Sequence, residues 1–197
     1  VKKRRIPKPI PRNEYPSPQE AEGTYFKDFV AFDVETTGID AVKDSIIELS
    51  AVKVKDGKIV DAFSELVRPI DKKIPEEVEQ LTGIRNDDVI DAREIWEVFP
   101  DFAKFIGDNV LVGYNNIAFD SKFLVRAGRY SHIILNNKHF DVMKYSLNFK
   151  KQLGITKAVK LVELGNMLNI ENPQAHRALA DAETTAKIYL KLLESEV

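Results

Sequence analysis

FVAFDVETTG, residues 29–38, is a short apolar run that meets its first acid at Asp33 and closes on two threonines and a glycine. A run of this length and apolar character reads as a buried strand, and this one delivers a polar side chain at its tip. Asp33 and Glu35 stand two apart. Side chains alternate along a strand, so both carboxylates fall on one face and can grip one ion.

Downstream, SIIELSAVKV and KIVDAFSELV are rich in β-formers and are parted near Asp56-Gly57, a dipeptide suited to a tight hairpin. Three strands therefore open the domain. Pro75, EEVEQL and Gly83 read as a short helix with a proline start and a glycine stop. Ile95, Val98, Phe99, Phe102, Phe105 and Ile106 recur at helical spacing up to Gly107. VLVGY reads as a fourth strand, SKFLVRAG as a helix beginning close to Asp120, and residues 139–143 as a fifth strand. Leu161, Leu164 and Leu168 mark a helix face, and ALADAETTAKIYLKLLES is a final helix. The sum is an α/β fold with a mixed five-stranded sheet flanked by helices.

Composition sets the chemistry that is open to such a fold. The chain has 197 residues, enough for one core of ordinary size, and 44% hydrophobic with 30% charged residues is the balance of a globular domain. Its lack of cysteine excludes disulfides, thiolate metal sites and cysteine nucleophiles, so any metal must be held by oxygen or nitrogen. No apolar run approaches the roughly 18 residues of a membrane span, and no signal-peptide pattern follows the basic start. A cytoplasmic protein with no membrane contact is the expectation.

Charge is uneven. Six of the 29 basic residues fall within residues 1–12 with no acid among them, leaving 23 against 31 acidic residues in the remainder. With Pro7, Pro9, Pro11, Pro16 and Pro18, residues 1–24 read as a basic, extended or disordered tail that does not pack. A linker is the plain reading of it and a nucleic-acid-anchoring arm the sharper one. Residues 25–197 form the domain. The start at Val1 instead of Met reads as a piece of a longer protein.

Three further polar residues complete a set with Asp33 and Glu35: Asp120 in NNIAFD, and His176 with Asp181 in HRALAD. Four carboxylates brought together need a cation between them, which points to a metal-dependent hydrolase of phosphodiesters. Asp181 lies within the final helix, whereas His176 follows the turn-like Asn172-Pro173-Gln174-Ala175. Five helical positions would leave the two side chains about 140° apart. His176 is therefore expected on a loop or first turn, reaching over the metals.

FDVETTG, NNIAFD and HRALADA, in that order, resemble the three motifs of DnaQ-like 3′-to-5′ exonucleases of the histidine-bearing DEDDh branch, an RNase H-like superfamily. The likeness covers roughly Phe29 to Leu193. IIELSAVKV and LTGI look like the proofreading exonuclease domains of bacterial DNA polymerase III, PolC-type or epsilon-type. The tyrosine branch would carry Tyr where Arg177 stands.

The resemblance implies that Asp33, Glu35, Asp120 and Asp181 hold two Mg²⁺ or Mn²⁺ ions and that His176 is the general base. It implies that Thr36, Thr37 and Gly38 line the pocket for the terminal nucleotide, that Ile39 lies against its base, and that Asn116 steadies the site. Tyr114 departs from the family's usual His. The implied reaction releases 5′-mononucleotides from a single-stranded or frayed 3′ end of DNA, in company with a polymerase. An exoribonuclease of the RNase T or oligoribonuclease kind is the alternative within this chemistry, and a non-catalytic, polymerase-associated binding module the alternative outside it.

Outside the motifs, Glu48 is read as a support for the site or a structural acid, Asp141 as structural, and His132 and His139 as structural or exposed. Lys144, Lys150, Lys151, Lys157 and Lys160, in a stretch without acids, offer a path for the substrate backbone.

Overall fold

The computed structural model describes residues 5–70 and 72–195. After a 3₁₀ turn at Arg12–Glu14 come β1 (Gln19–Glu20), β2 (Phe29–Thr36), β3 (Ile46–Lys55) and β4 (Lys58–Arg68). The middle of the chain forms α1 (Glu76–Thr82), α2 (Asn86–Val89), β5 (Arg93–Glu94), α3 (Ile95–Ile106), β6 (Val110–Gly113) and α4 (Asp120–Ser131). The last part runs β7 (Lys138–Asp141), α5 (Val142–Ser146), α6 (Lys150–Leu153), α7 (Leu161–Met167) and α8 (Ala178–Glu194).

All strands join one mixed sheet in the order β1-β7-β6-β2-β3-β4-β5. Its five longer strands are the five expected, and the two-residue β1 and β5 extend its edges. β2 pairs antiparallel with β3 and parallel with β6. The ends of β2 and β6 therefore open toward the same side, where parallel sheets present their loops to ligands.

Alternation along β2 explains both layers. Val30, Phe32 and Val34 pack with α3 and α4, while Phe29 and Ala31 pack with Tyr145, Leu164 and the α8 residues Ile188 and Tyr189. Full burial of Phe29 and Phe32 contributes about 2–3 kcal/mol each. By the same alternation, Asp33 and Glu35 belong to the α8 face. The fold thus delivers them toward Asp181.

Local signals account for the turns. Asp56 and Gly57 have φ of 48° and 71°, and Lys55 pairs with Lys58, so the hairpin closes with both central residues left-handed. Gly83 ends α1 at φ 73°.

The N-terminal segment departs from expectation. It is extended but it packs: Tyr15 is buried, its hydroxyl donates to the Ile133 carbonyl at 2.9 Å and accepts from the Leu135 amide at 3.2 Å. Ile10 and Arg129 exchange two more bonds, amide to carbonyl at 3.0 Å and guanidinium to carbonyl at 2.6 Å. Composition misses this because the receiving surface is Gly128, where a Cβ would come within 2.2 Å of the Tyr15 hydroxyl. Lys2, Lys3 and Arg4 of the tail lie outside the described residues.

Candidate active site

Strand β2 brings Asp33 and Glu35 to the end of the sheet, and the first turns of α8 bring Asp181 over them. One carboxylate oxygen from each of the three lies within 4.8 Å of the others. Asp120, first residue of α4, stands outside that trio and is deeply buried, its carboxyl raised by burial and drawn down in part by its own backbone N–H and that of Val34. It still faces the cluster closely enough that its charge raises Asp33. The four predicted carboxylates therefore converge as a trio and a companion.

Their protonation records the crowding. Burial first, then the charges of Asp120, Glu35 and Asp181, push Asp33 well above the usual carboxylate range. Glu35 is pushed up to about 8 and Asp120 to about 7, each chiefly by burial, and Asp181 is raised for the same reason. Such a cluster is at odds with neutral water unless a cation joins it. An all-oxygen donor set suits a hard divalent ion.

His176 sits outside the helix, as the angular argument requires. It lies at the end of the turn before α8, exposed, with φ 65°. Its backbone N–H donates to Asp181 Oδ2 at 3.2 Å, and the Asn172 amide donates to Asp181 Oδ1. The next residue ties this turn to the sheet: Arg177 donates to both oxygens of Glu48, at 3.2 and 2.7 Å. Glu48 also accepts the Ala178 amide at 2.8 Å, at the start of α8.

Glu48 lies directly across the β2–β3 pair from Glu35. Like charges at opposed positions repel, and the Arg177 guanidinium offsets both, pairing one and drawing down the other. Glu48 interrupts the apolar run IIELSAV, and that break marks it in the sequence as a support for the site or a structural acid. Arg177 and Asn172 carry no such mark: the partner of the guanidinium is 129 residues away, and Asn172 sits in a turn-like run where an asparagine is ordinary.

The DVETTG threonines are committed internally. Thr36 donates to the Gly38 carbonyl at 2.7 Å, and Thr37 Oγ1 accepts the Ser45 amide at 3.0 Å, which closes the loop to β3. A Cβ on Gly38 would lie 2.5 Å from Asp44 Oδ2. Ile39 projects from this loop 87% exposed. Asn116 is fully buried, with neither amide atom partnered, behind Gly113.

Tyr114 donates to the Val159 carbonyl at 2.7 Å and so pins the loop before α7. Asp141 caps α5 and holds the Asn115 amide, a structural acid as read. His139 is buried against Phe32, and burial pushes it down to about 4. Lys144 pairs with Glu20, while Lys150, Lys151, Lys157 and Lys160 are exposed.

Fold and site together define a nuclease of the carboxylate-cluster type. A family model described as exonuclease, of the RNase T family, matches residues 30–189, and the chain belongs to this family, whose members are hydrolases. It is 40% identical over 167 residues to the DNA polymerase III PolC-type of Bacillus subtilis, covering 84% of the chain and 11% of that protein. It is 37% identical over 169 residues to the DNA polymerase III subunit epsilon of Aquifex aeolicus, covering 84% of the chain and 80% of that protein. The chain thus spans about an eighth of the PolC-type relatives.

Among solved structures, exonuclease X in complex with 5′-overhanging duplex DNA matches at a TM-score of 0.68 and 27% identity, over 85% of this chain and 92% of that one. The zinc-bound E. coli exonuclease I complex with single-stranded DNA matches at 0.75 and 18% identity, over 87% of this chain and 41% of that one, a likeness of fold. No helix among the described residues is long and apolar enough to cross a membrane.

Proposed function

We propose that the chain is a metal-dependent 3′-to-5′ exonuclease acting on single-stranded or frayed DNA ends, with His176 as general base. The observation that carries this is the convergence of Asp33, Glu35 and Asp181 within 4.8 Å, with Asp120 beside them and His176 bonded through its backbone to Asp181. Two Mg²⁺ or Mn²⁺ ions held by the four carboxylates would supply Lewis-acid charge at the phosphoryl group and acidify water.

The chain's own groups do the rest. His176 takes the proton from the attacking water, the role an imidazole most often fills in general-base catalysis. The water oxygen bonds to phosphorus, the bond from phosphorus to the 3′ oxygen breaks, and a 5′-mononucleotide leaves. Arg177 and Glu48 hold the turn that carries His176, and Ile39, exposed on the loop after β2, lies against the terminal base. DNA is favoured because the relatives named above are DNA polymerase III chains and the exonuclease X structure holds DNA. The same relatives support work beside a polymerase, as a proofreading domain.

Digestion of matched single-stranded DNA and RNA oligonucleotides, with Mg²⁺, Mn²⁺ or excess EDTA, tests the reading. DNA should yield 5′-mononucleotides from its 3′ end and yield nothing in EDTA. Faster digestion of RNA would replace DNA by the exoribonuclease alternative, and turnover that survives EDTA would overturn the metal mechanism.

A further inference from the structure

A second surface, on the outer face of α4, takes no part in the chemistry above. Helix α4 begins at Asp120 and carries Lys122, Arg126 and Arg129 at spacings of four and three, which place them on one stripe. The docked N-terminal segment runs along this stripe and adds Arg12. Between them and the loop bearing Val42 is a groove of about 420 Å³, also lined by Tyr130, with four cations and no carboxylate in its wall. Among the described residues none of these four cations has a carboxylate within ion-pair distance. Arg126 and Arg129 donate to backbone carbonyls, of Val42 and Ile10, and Arg12 to that of Tyr15.

An unpaired basic groove is unusual on a body whose acids outnumber its bases, and it calls for an anionic occupant. Its dimensions suit a strand of nucleic acid. Lys122 to Arg129 spans about 10 Å along the helix, roughly the rise of three nucleotides in one B-form strand. Lys122 comes two residues after Asp120 and so lies about 200° round α4, on the face turned from the carboxylates, and the opposite wall is the loop that presents Ile39. A strand whose 3′ end lies at the carboxylates would meet the groove by passing over this loop, which carries Ile39 toward one end and Ala41 and Val42 in the groove wall.

We infer that this groove, built jointly by α4 and the N-terminal segment, binds the phosphodiester backbone of the nucleic acid some nucleotides before the scissile bond. The basic segment is then a fixed wall of the substrate path. The inference rests on the nucleic-acid reading proposed above. It explains the docking of a proline-rich segment by Tyr15: proline stiffness and the Gly128 notch hold Arg12 in place with little further loss of chain freedom on binding.

The test uses the whole chain and the variant Arg12→Gln/Lys122→Gln, two exposed residues, of which Arg12 gives up its bond to the Tyr15 carbonyl. Fluorescence anisotropy with a labelled single-stranded DNA of about 12 nucleotides in EDTA reads binding without hydrolysis. The variant should bind roughly tenfold more weakly at low salt, with the slope of log affinity against log salt shallower by about 1.4. In Mg²⁺ its ratio of kcat/KM on that oligonucleotide to kcat/KM on a dinucleotide should fall by a similar factor. Unchanged affinity and salt slope would overturn the inference, as would an unchanged ratio of kcat/KM. Weakened binding of a polyglutamate peptide with DNA affinity unaltered would assign the groove to an acidic protein segment and overturn it equally. Absence of hydrolysis by the unaltered chain would instead count against the proposed function, because the anisotropy arm needs no turnover.

Discussion

At the scale of single residues, the site depends on groups with unequal tasks. Asp33 and Glu35 lie two apart on β2, and Asp33→Asn removes one of the three convergent carboxylates. Mg²⁺-dependent digestion of single-stranded DNA is expected to fall by at least about a hundredfold. His176→Ala should lower kcat by about 10²–10⁴, with DNA affinity in EDTA little changed. Wild-type rates from either variant would remove the residue from the mechanism.

Glu48 is a positioning residue and calls for a different readout. Glu48→Gln keeps an oxygen for the Ala178 amide but surrenders the charge that pairs Arg177. Its kcat should drop about tenfold with KM nearly unchanged, because the His176 turn loosens while the nucleotide contacts persist. A rise in KM alone would contradict that role. The carboxylates and His176 were legible in the sequence because each sits in a local pattern. Glu48's partner was not, since the pairing is made by the sheet register and the start of α8.

At the scale of elements, the long periodic runs carried their own identity. β2 is buried on both faces and reads as an apolar run, α3 shows its stripe from Ile95 to Ile106, and Asp56-Gly57 states its turn. The four-residue helices α2 and α6 and the two-residue strands β1 and β5 are too short to show a period, and tertiary contacts define them. The N-terminal segment misled by composition, because its anchor is the fit between Tyr15 and Gly128, 113 positions apart in the sequence.

That fit is testable. Gly128→Ala would gain up to about 1 kcal/mol of helix propensity, yet its methyl meets the Tyr15 ring, the Tyr15 hydroxyl and the Ile133 carbonyl, and overpacking of this kind costs about 1–3 kcal/mol. The expected outcome is release of the segment with the sheet intact. Limited trypsin digestion should then cut after Arg5 or Arg12 much faster than in the unaltered chain. Equal protection would show that the anchor lies elsewhere.

At the scale of the whole molecule, the carboxylate cluster links stability to pH and to metal. Glu35 rises from an ordinary 4.5 to about 8, and Asp120 from 3.8 to about 7, chiefly through burial. A raised carboxylate means that the folded chain binds more protons than the unfolded chain between those limits. Stability of the metal-free protein therefore falls as pH rises from about 4 to about 8, and is level above that window. The groups share one field, so their joint effect is on the order of several kcal/mol rather than a sum of separate shifts. A divalent cation binds the ionised cluster and reverses the trend, because proton and metal compete for the same oxygens. Thermal unfolding in EDTA should show Tm declining between pH 5 and pH 8 relative to Asp33→Asn/Glu35→Gln, which lacks two of the charges. Addition of Mn²⁺ should raise Tm strongly at pH 8 and weakly at pH 5. A metal-induced shift independent of pH would mean that the ion is not held by these four carboxylates.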